Sequence, residues 1–350
     1  MKINSPVQYF SFFYKLLQMT LKATGFVVYE YDDNEELLIT FIYPAADKDL
    51  KTVIIETGTF LVNSNQTSLY SSFGSKYLYF ENKRNTDRSG SARIFGICIM
   101  ADNLYPAYYS EFGKVLVEIF HDSSNAPKVL RQYLSSLTDG QLEYKDLQFS
   151  IDNFEDDPFQ KLNFSPLLDR ISPRQVAFIW QALITGKTIG VYSADIVVLQ
   201  QCALAIVALC CPGTRPVLPF VIESSSTMTN AAEDTKQVIW CSCDASIISK
   251  RFDLLINLTA NTVTPSAAFE KELTSDMLEH VAESISDAHE TTASVYEAIV
   301  DLNNQIVIPL QKVQEKKGDL SPASIASLNL PSETKSLLTG IAVAQVLPIP

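Results

Sequence analysis

Three residues near the middle of the chain, Gly186, Lys187 and Thr188, are of the types that close a phosphate-binding loop. In such a loop, backbone N–H groups and a lysine hold phosphate oxygens, and a further glycine is required five residues before the last one. Gln181 stands at that position. The loop also needs a strand before it and a helix after it, whereas the flanking sequence predicts the reverse order. These residues therefore do not predict a nucleotide-hydrolysing site.

The spacing of the histidines, cysteines and serines predicts neither a metal site nor nucleophilic catalysis. Two of the three histidines, His280 and His289, are nine positions apart, about half a turn from a shared helix face. The six cysteines lack the spacing of structural zinc ligands, and Cys241 and Cys243 fit packing on one face of a strand. No G-x-S-x-G motif presents a serine nucleophile. We expect no metal, no cofactor and no bond-making chemistry.

Composition and net charge indicate a folded chain that binds protein. Of its 350 residues, 47% are hydrophobic and 19% are charged. The net charge is −13: residues 1–150 carry 14 basic against 17 acidic residues, and residues 151–350 carry 13 against 23. Because so acidic a chain repels phosphate backbones, nucleic acid is not an expected partner. Most cysteines lie in apolar runs, which is typical of free thiols in a reducing compartment.

An aromatic run from Val7 to Leu17 marks the N-terminal region. Gln8 and Lys15 interrupt it, so it is too short and too polar to span a bilayer, and it lacks the order of a signal peptide. Two interpretations remain open, an amphipathic docking helix and a membrane-surface anchor. We expect at most peripheral association with a membrane.

The elements of the first part of the chain predict an antiparallel sheet with helices on its faces. An acid-rich turn between two apolar, aromatic strands is typical of a hairpin. The predicted strands are Gly25–Tyr31, Leu37–Tyr43, Thr59–Val62, Ser75–Glu81 and Ala92–Met100. The predicted helices are Leu50–Glu56 and a region from Tyr105 to Leu137 with a break at Pro127, and a loop with a basic edge is predicted over residues 82–91.

An acidic connector over residues 139–165 precedes a region in which the order of predicted strands and helices is different. Ser172 and Pro173 are typical of a helix N-terminus, and Gly186 of a helix end. Alternating strands and helices then predict a three-layer α/β lobe with a largely parallel sheet. The strands expected are Thr188–Tyr192, Val217–Ile222, Gln237–Cys241 and Phe252–Leu258. The helices expected are Val197–Leu209, Ala245–Lys250, one or two within Ala267–Lys317, and Ser332–Val346.

Four stretches carry a resemblance to a known family: residues 29–44, residues 183–193, residues 214–220 and residues 252–258. Their order and spacing resemble the longin-plus-DENN organisation of the DENN family, and most of all its short stand-alone type. The resemblance implies a bilobal α/β protein with a longin-like lobe with an N-terminal helix (1–138), an acidic linker (139–165) and a central and downstream DENN lobe (166–350). The chain departs from the family pattern in lacking its tryptophan within residues 212–216 and in having Gly190 inside a strand.

The resemblance also implies a function. Family members bind Rab GTPases in membrane trafficking, and many accelerate GDP release, so a guanine-nucleotide exchange factor in the cytoplasm and on endosomes is expected. The residues expected to contact the GTPase, each of which also fits a purely structural turn role, are Tyr43, Pro44, Tyr192, Ser193 and Asp195.

Two alternatives remain open. One is a non-catalytic adaptor in an endosomal recycling assembly, with helices in residues 267–317 meeting coiled-coil partners. The other is a GTPase-activating role, which would need an arginine such as Arg84 or Arg88 to reach the nucleotide.

Overall fold

The computed structural model describes residues 22–31, 36–46, 48–73, 76–86, 92–154, 158–160, 162–210, 239–273, 275–290, 294–317, 321–327, 335 and 337–341. The chain divides between Pro158 and Phe159 into two compact units. The aromatic run from Val7 to Leu17 and the stretch 214–220 lie outside the described residues, as does the predicted strand Val217–Ile222.

The first unit is built on a five-stranded, entirely antiparallel sheet of order β2-β1-β5-β4-β3. This confirms the predicted sheet type. Its strands are β1 (Ala23–Tyr31), β2 (Leu37–Tyr43), β3 (Ser68–Phe73), β4 (Lys76–Thr86) and β5 (Ala92–Ala101). The helices are α1 (Lys48–Asn63), α2 (Pro106–Ser123) and α3 (Ala126–Asp139). A two-stranded hairpin, β6 (Gln141–Tyr144) and β7 (Leu147–Ser150), lies within the segment predicted as an acidic linker.

Helix α1 corrects one prediction. The segment Thr59–Val62, predicted as a strand, forms the last turn of α1, and the strand follows later as β3. Ile54, Leu61 and Val62 are buried at helical spacing against the sheet, and this packing overrides the β-propensity of a short apolar run. The predicted basic loop is also corrected, because residues 82–86 continue β4 beside β5.

Helices α2 and α3 meet where Pro127 predicts a break. Pro127 lies in the first turn of α3, and the side chain of Asn125 accepts a hydrogen bond from the Lys128 N–H at 3.0 Å to cap it. Tyr133 of α3 packs on Phe26 of β1, with ring centroids 4.9 Å apart. This contact ties the helix layer to the centre of the sheet.

The second unit contains a four-stranded sheet of order β11-β10-β8-β9. Strand β8 (Ile189–Tyr192) runs parallel to β9 (Ile239–Ser242) and to β10 (Leu254–Asn257), and β11 (Thr262–Pro265) is an antiparallel edge. The predicted α/β lobe with a largely parallel sheet is therefore confirmed. Its helices are α4 (Ser165–Leu168), α5 (Pro173–Ile184), α6 (Ile196–Ala208), α7 (Ala267–Glu270), α8 (Ser275–Glu290), α9 (Val295–Lys317) and α10 (Pro322–Ala326).

Several predicted boundaries in this unit shift. Ala245–Ser249 is a 3₁₀ helix, three helices rather than two span residues 267–317, and β11 was missed. Of the predicted helix Ser332–Val346, the described residues 335 and 337–341 are helical. Within the described residues, no helix has the length and apolar character needed to cross a lipid bilayer.

Local signals predicted the start of α5 correctly. The Ser172 hydroxyl accepts from the Gln175 N–H at 3.4 Å, while the Gln175 side chain accepts from the Ser172 N–H at 3.1 Å. This reciprocal pair satisfies two backbone donors that have no partner within the helix. The helix ends two residues before Gly186, whose φ of 67° lies in the left-handed region that favours glycine.

Candidate functional site

The carboxyl edge of the parallel sheet in the second unit gathers three of the five residues predicted to bind a GTPase. Because β8, β9 and β10 are parallel, their carboxyl ends lie side by side, which is where α/β sheets present ligand-contacting residues. Tyr192 is the last residue of β8, and Ser193 and Asp195 follow it at this edge. Residues 243–244 and 258–259 follow the two neighbouring strands.

Ser193 holds the turn after β8. Its side chain is buried, its N–H donates to the Ser242 carbonyl at 3.4 Å, and its hydroxyl accepts from the Asp195 N–H at 3.1 Å. The neighbouring Ala194 N–H donates to the Thr259 hydroxyl at 2.9 Å, which joins the β8 turn to the β10 turn. Ser193 therefore shapes the edge and presents no exposed hydroxyl to a partner.

Asp195 caps helix α6 and is exposed. Its Oδ1 accepts from the Val197 N–H at 2.8 Å and from the Val198 N–H at 3.3 Å. A carboxylate at this position satisfies helix donors and interacts favourably with the positive end of the helix dipole. The residue thus fixes the direction of α6 and places a negative charge on the surface of the edge.

Tyr192 is held by packing. It is half-buried against Trp240 and Ile247, and Phe252 packs on the same cluster. Its carbonyl accepts from the Leu258 N–H at 2.8 Å. A ring fixed in this way loses little freedom when a partner covers it, which suits a binding residue.

Asp244 is an edge residue that the sequence reasoning missed. It caps the 3₁₀ helix after β9: Oδ1 accepts from the Ser246 N–H at 2.9 Å and Oδ2 from the Ser246 hydroxyl at 2.7 Å. These two hydrogen bonds hold the pKa of the Asp244 carboxyl below its ordinary value. An aspartate two residues before a serine is a sequence pattern typical of such a cap, and this pattern could have identified Asp244.

Cys243 lies beside Asp195. Its thiol is half-buried, and burial raises its pKa to about 11, with the Asp195 charge adding to the shift. The raised pKa disfavours the thiolate at neutral pH. Because the Asp195 charge acts on the Cys243 thiol, the turns after β8 and β9 lie close to each other.

Tyr43 and Pro44 belong to the first unit, at the end of β2. The Tyr43 side chain is 37% exposed, and its ring centroid lies 6.4 Å from that of Tyr133 in an edge-on arrangement. Pro44 is exposed and follows a cis peptide bond. A Cβ on Gly25 would collide with the Tyr43 carbonyl and with the Pro44 ring, so only glycine permits this close approach.

Lys187, the residue that resembled a phosphate-loop lysine, is engaged in its own unit. Its Nζ lies 2.6 Å from a carboxylate oxygen of Glu272 and 5.9 Å from the ring centroid of Phe269. Around Lys187 the chain forms helix α5, then a turn, then strand β8, as predicted from the sequence. Lys187 therefore joins the turn before β8 to the segment after α7.

In the part of the chain that the structure describes, one group of side chains has the ligand spacing of a metal site. Glu118, His121 and Asp122 of α2 place ligand atoms within 4.8 Å of one another. Lys83 pairs with Glu118, and Lys145 pairs with both Glu118 and Asp122. The Lys83 hydrogen bond holds the pKa of Glu118 below its ordinary value. Lysines thus already neutralise these carboxylates, and the group is an ionic network that joins β4, α2 and the β6–β7 turn.

The two units, one with an antiparallel sheet and one with a largely parallel sheet, define a two-unit α/β protein. No protein-family model matches the chain. It is similar to DENN domain-containing protein 10 of Dictyostelium discoideum, with 20% identity over 345 residues that cover 90% of this chain and 93% of that protein. The match confirms the resemblance to the DENN family, and to its short stand-alone type, that the sequence motifs indicated.

Proposed function

We propose that this protein binds a Rab-family GTPase and regulates vesicular trafficking as a guanine-nucleotide exchange factor. The observation that carries the proposal is the similarity to a DENN protein over nearly the whole length of both chains. The carboxyl edge of the second sheet supports it by placing Tyr192 and Asp195 on one accessible surface. The proposed location is the cytoplasm, with peripheral association with endosomes.

Exchange of this kind is differential binding. A factor that binds the nucleotide-free GTPase more tightly than the GDP-bound form shifts the population toward release, and it needs no acid, base or metal of its own. Each tenfold difference in affinity between the two forms corresponds to about 1.4 kcal/mol. The half-buried tyrosine and the capped aspartate suit this role, because their positions are fixed before the partner arrives.

Within this proposal the five residues have different parts. Tyr192 and Asp195 contact the GTPase directly, and buried Ser193 positions Asp195 through its hydroxyl. Tyr43 and Pro44 offer a second contact surface, made of an exposed aromatic ring and a ring-constrained turn.

The test follows release of fluorescent GDP from a panel of purified Rab proteins, with and without this protein at micromolar concentration. We expect faster release from one or two Rabs, and loss of that acceleration in Tyr192→Ala and Asp195→Ala. Ser266→Ala is the matched control for Asp195→Ala, because Ser266 caps helix α7 of the same unit and its N–H bonds to the Asp253 carbonyl directly before β10, at the opposite edge of the sheet. Acceleration from no Rab in the panel would disprove exchange activity.

A non-catalytic adaptor is the second candidate, favoured by the long C-terminal helices. Helix α9 has 23 residues, a length of about 34 Å at 1.5 Å per residue, and it follows the 16-residue α8. Helices of this length suit coiled-coil partners of an endosomal assembly. GDP release that stays at the basal rate, together with stable co-purification with such a partner, would replace the first proposal with this one.

A further inference from the structure

An aromatic cluster of the first unit extends from the core to the surface at the end of β2. The Phe26 ring centroid lies 4.9 Å from that of Tyr133 and 5.6 Å from that of Phe41. The Tyr43 ring contacts Tyr133 edge-on, and the Tyr43 side chain is 37% exposed. Because Tyr133 belongs to α3, the cluster lies on the face of the sheet that α3 covers. Tyr43 is the exposed end of this cluster.

The Tyr133 hydroxyl is a polar group of this cluster that still needs a partner. The Tyr133 side chain is fully buried, and its hydroxyl has no hydrogen-bond partner among the residues that the structure describes. Burial raises the pKa of Tyr133 and the nearby Tyr43 adds to the shift, which places the two hydroxyls near each other. A buried hydroxyl without a hydrogen bond is destabilising, and native folds almost always supply one. The hydroxyl therefore indicates that a further segment packs beside Tyr43.

The N-terminal part of the chain enters the fold next to this cluster. The Lys22 backbone forms a hydrogen bond with the Tyr109 hydroxyl of α2. Phe112, one helical turn after Tyr109, has its ring centroid 6.1 Å from that of Tyr133. The aromatic run over residues 7–17 ends five residues before Lys22, and five residues span at most about 18 Å. The run can therefore reach the cluster.

The aromatic run has one apolar face when it is arranged as a helix. Four residues follow the spacing i, i+3, i+4 and i+7: Tyr9, Phe12, Phe13 and Leu16. Ser11 lies on the opposite side of such a helix. A helix this short is held mainly by tertiary packing of its apolar face, so it needs an apolar surface within reach.

We propose that residues 7–17 form an amphipathic helix that packs on the aromatic cluster at Tyr43 and supplies a hydrogen-bond partner to the Tyr133 hydroxyl. Its aromatic face covers the exposed Tyr43 ring and adds aromatic contacts to the cluster. This packing does not depend on the proposed function. Its consequence for GTPase binding does: a GTPase that contacts Tyr43 has to displace the helix, which makes the helix an intramolecular competitor at this surface.

Photochemical crosslinking in the full chain tests where the run packs. The photoreactive amino acid p-benzoylphenylalanine is placed at position 12, and its crosslinks are located by mass spectrometry. We expect crosslinks to β2 or α3. The same amino acid at position 11, on the opposite side of the helix, is the matched control and should crosslink to these elements several-fold less. Crosslinks from position 12 that all fall elsewhere, or none at all, overturn the proposal.

A change at the exposed end of the cluster tests the surface itself. We expect Tyr43→Ser to lower the crosslink yield from position 12 several-fold. Ile55→Ser is the matched control, because Ile55 is 38% exposed on α1. Helix α1 approaches the Tyr29 ring, and Tyr29 and Phe26 point to opposite faces of the sheet. An undiminished yield in Tyr43→Ser, or an equal loss in both variants, contradicts packing at this surface.

Tyr133→Phe tests the hydrogen bond. In the otherwise unchanged chain, removing a satisfied hydroxyl should lower the melting temperature by about 3 °C. In a Phe12→Ser/Phe13→Ser chain the same change should not lower it, because the hydroxyl has then already lost its partner. An unchanged or higher melting temperature of Tyr133→Phe alone overturns the hydrogen bond. None of these measurements involves a GTPase, so their failure leaves the proposed function standing, and failure of the GDP-release test leaves this packing standing.

Discussion

Gly190 and Phe252 are packed so closely that a single carbon atom decides whether both fit. A Cβ built on Gly190 would lie 2.5 Å from Cδ2 and from Cε2 of the Phe252 ring. Phe252 belongs to the cluster that holds Tyr192, two residues further along β8. The glycine that departs from the family pattern is thus explained by the aromatic ring that crosses the strand.

Replacing Gly190 with alanine should destabilise the second unit. We expect Gly190→Ala to lower the free energy of unfolding by about 1–3 kcal/mol, the usual effect of overpacking a core, since Phe252 must leave its position. Urea denaturation measures the change. The matched control is Gly340→Ala, where the added Cβ meets Thr185 Cγ2 at an ordinary 3.6 Å and the described neighbours are helical. Equal stability of Gly190→Ala and wild type would contradict the packing argument.

Glu81 should make the stability of the first unit depend on pH. This side chain of β4 is buried against α2, where Ser110 donates a hydrogen bond to it and Gly113 lies so close that an added Cβ would be 2.8 Å from its Cγ. Burial raises its pKa from 4.5 to about 7. Since the folded state holds the proton more tightly, the stabilisation is complete below pH 4.5 and is lost as pH rises through 7.

Glu81→Gln tests that dependence. The 2.5-unit difference between the two pKa values corresponds to about 3 kcal/mol. Relative to the glutamine variant, wild type should therefore lose about that much unfolding free energy between pH 4.5 and pH 8, measured by urea denaturation across the range. Glu143→Gln, which changes an exposed carboxylate on β6 of the same unit and leaves Glu81 in place, is the control and should keep the pH profile of wild type. Parallel pH profiles for wild type and Glu81→Gln would rule out the raised pKa.

Asn303 is expected to be the most sensitive polar residue of the second unit. Its Oδ1 accepts from the Trp180 indole N–H at 2.9 Å, and its Nδ2 donates to the Leu209 carbonyl at 3.2 Å, all in the core. Asn303→Ala leaves a buried donor and a buried acceptor without partners, so we expect a loss of about 2–5 kcal/mol. Asn304→Ala, one residue along on the exposed face of α9, should change stability by less than about 0.5 kcal/mol. A mild Asn303→Ala variant would show that water replaces the lost contacts.

Zinc should have little effect on the protein, despite the ligand spacing of Glu118, His121 and Asp122. A metal ion at this group would have to displace Lys83 and Lys145 from the two carboxylates. We expect micromolar Zn²⁺ to leave the melting temperature of the first unit unchanged, and to raise it in a Lys83→Ala/Lys145→Ala variant, because ligands that bind the folded state stabilise it. Stabilisation of wild type by zinc would mean that the lysines do not block the group.

Signals confined to a few neighbouring residues predicted much of the fold. The hairpin of β1 and β2 ends at Pro44 as expected, and Ser172 with Gln175 caps α5. Strand and helix periodicity correctly gave an antiparallel sheet followed by a largely parallel one. These features depend on turn-forming residues, helix caps and the alternation of apolar residues, and each of these signals comes from residues that are close together in the sequence.

The site could be predicted only in part. Tyr192, Ser193 and Asp195 were predicted as GTPase contacts from their place at the end of a recognisable buried strand, and the structure has them at one edge of the sheet, where the contact itself stays a prediction. Asp244 was missed, because its place at this edge comes from β9 lying beside β8, a pairing between segments about fifty residues apart. Likewise, nothing in the sequence distinguishes exposed Val197 from the buried apolar residues that follow it in α6.

The sequence by itself determined most of the helices and strands, the sign and distribution of charge, and the resemblance to the DENN family. Tertiary structure alone decided that Thr59–Val62 closes a helix, that Gly190 makes room for Phe252, and that Ser193 is buried while Asp195 is exposed. The physical reason is that capping and periodicity are local, whereas strand neighbours, burial and exposure depend on contacts between distant segments. Those contacts form only when the whole chain packs.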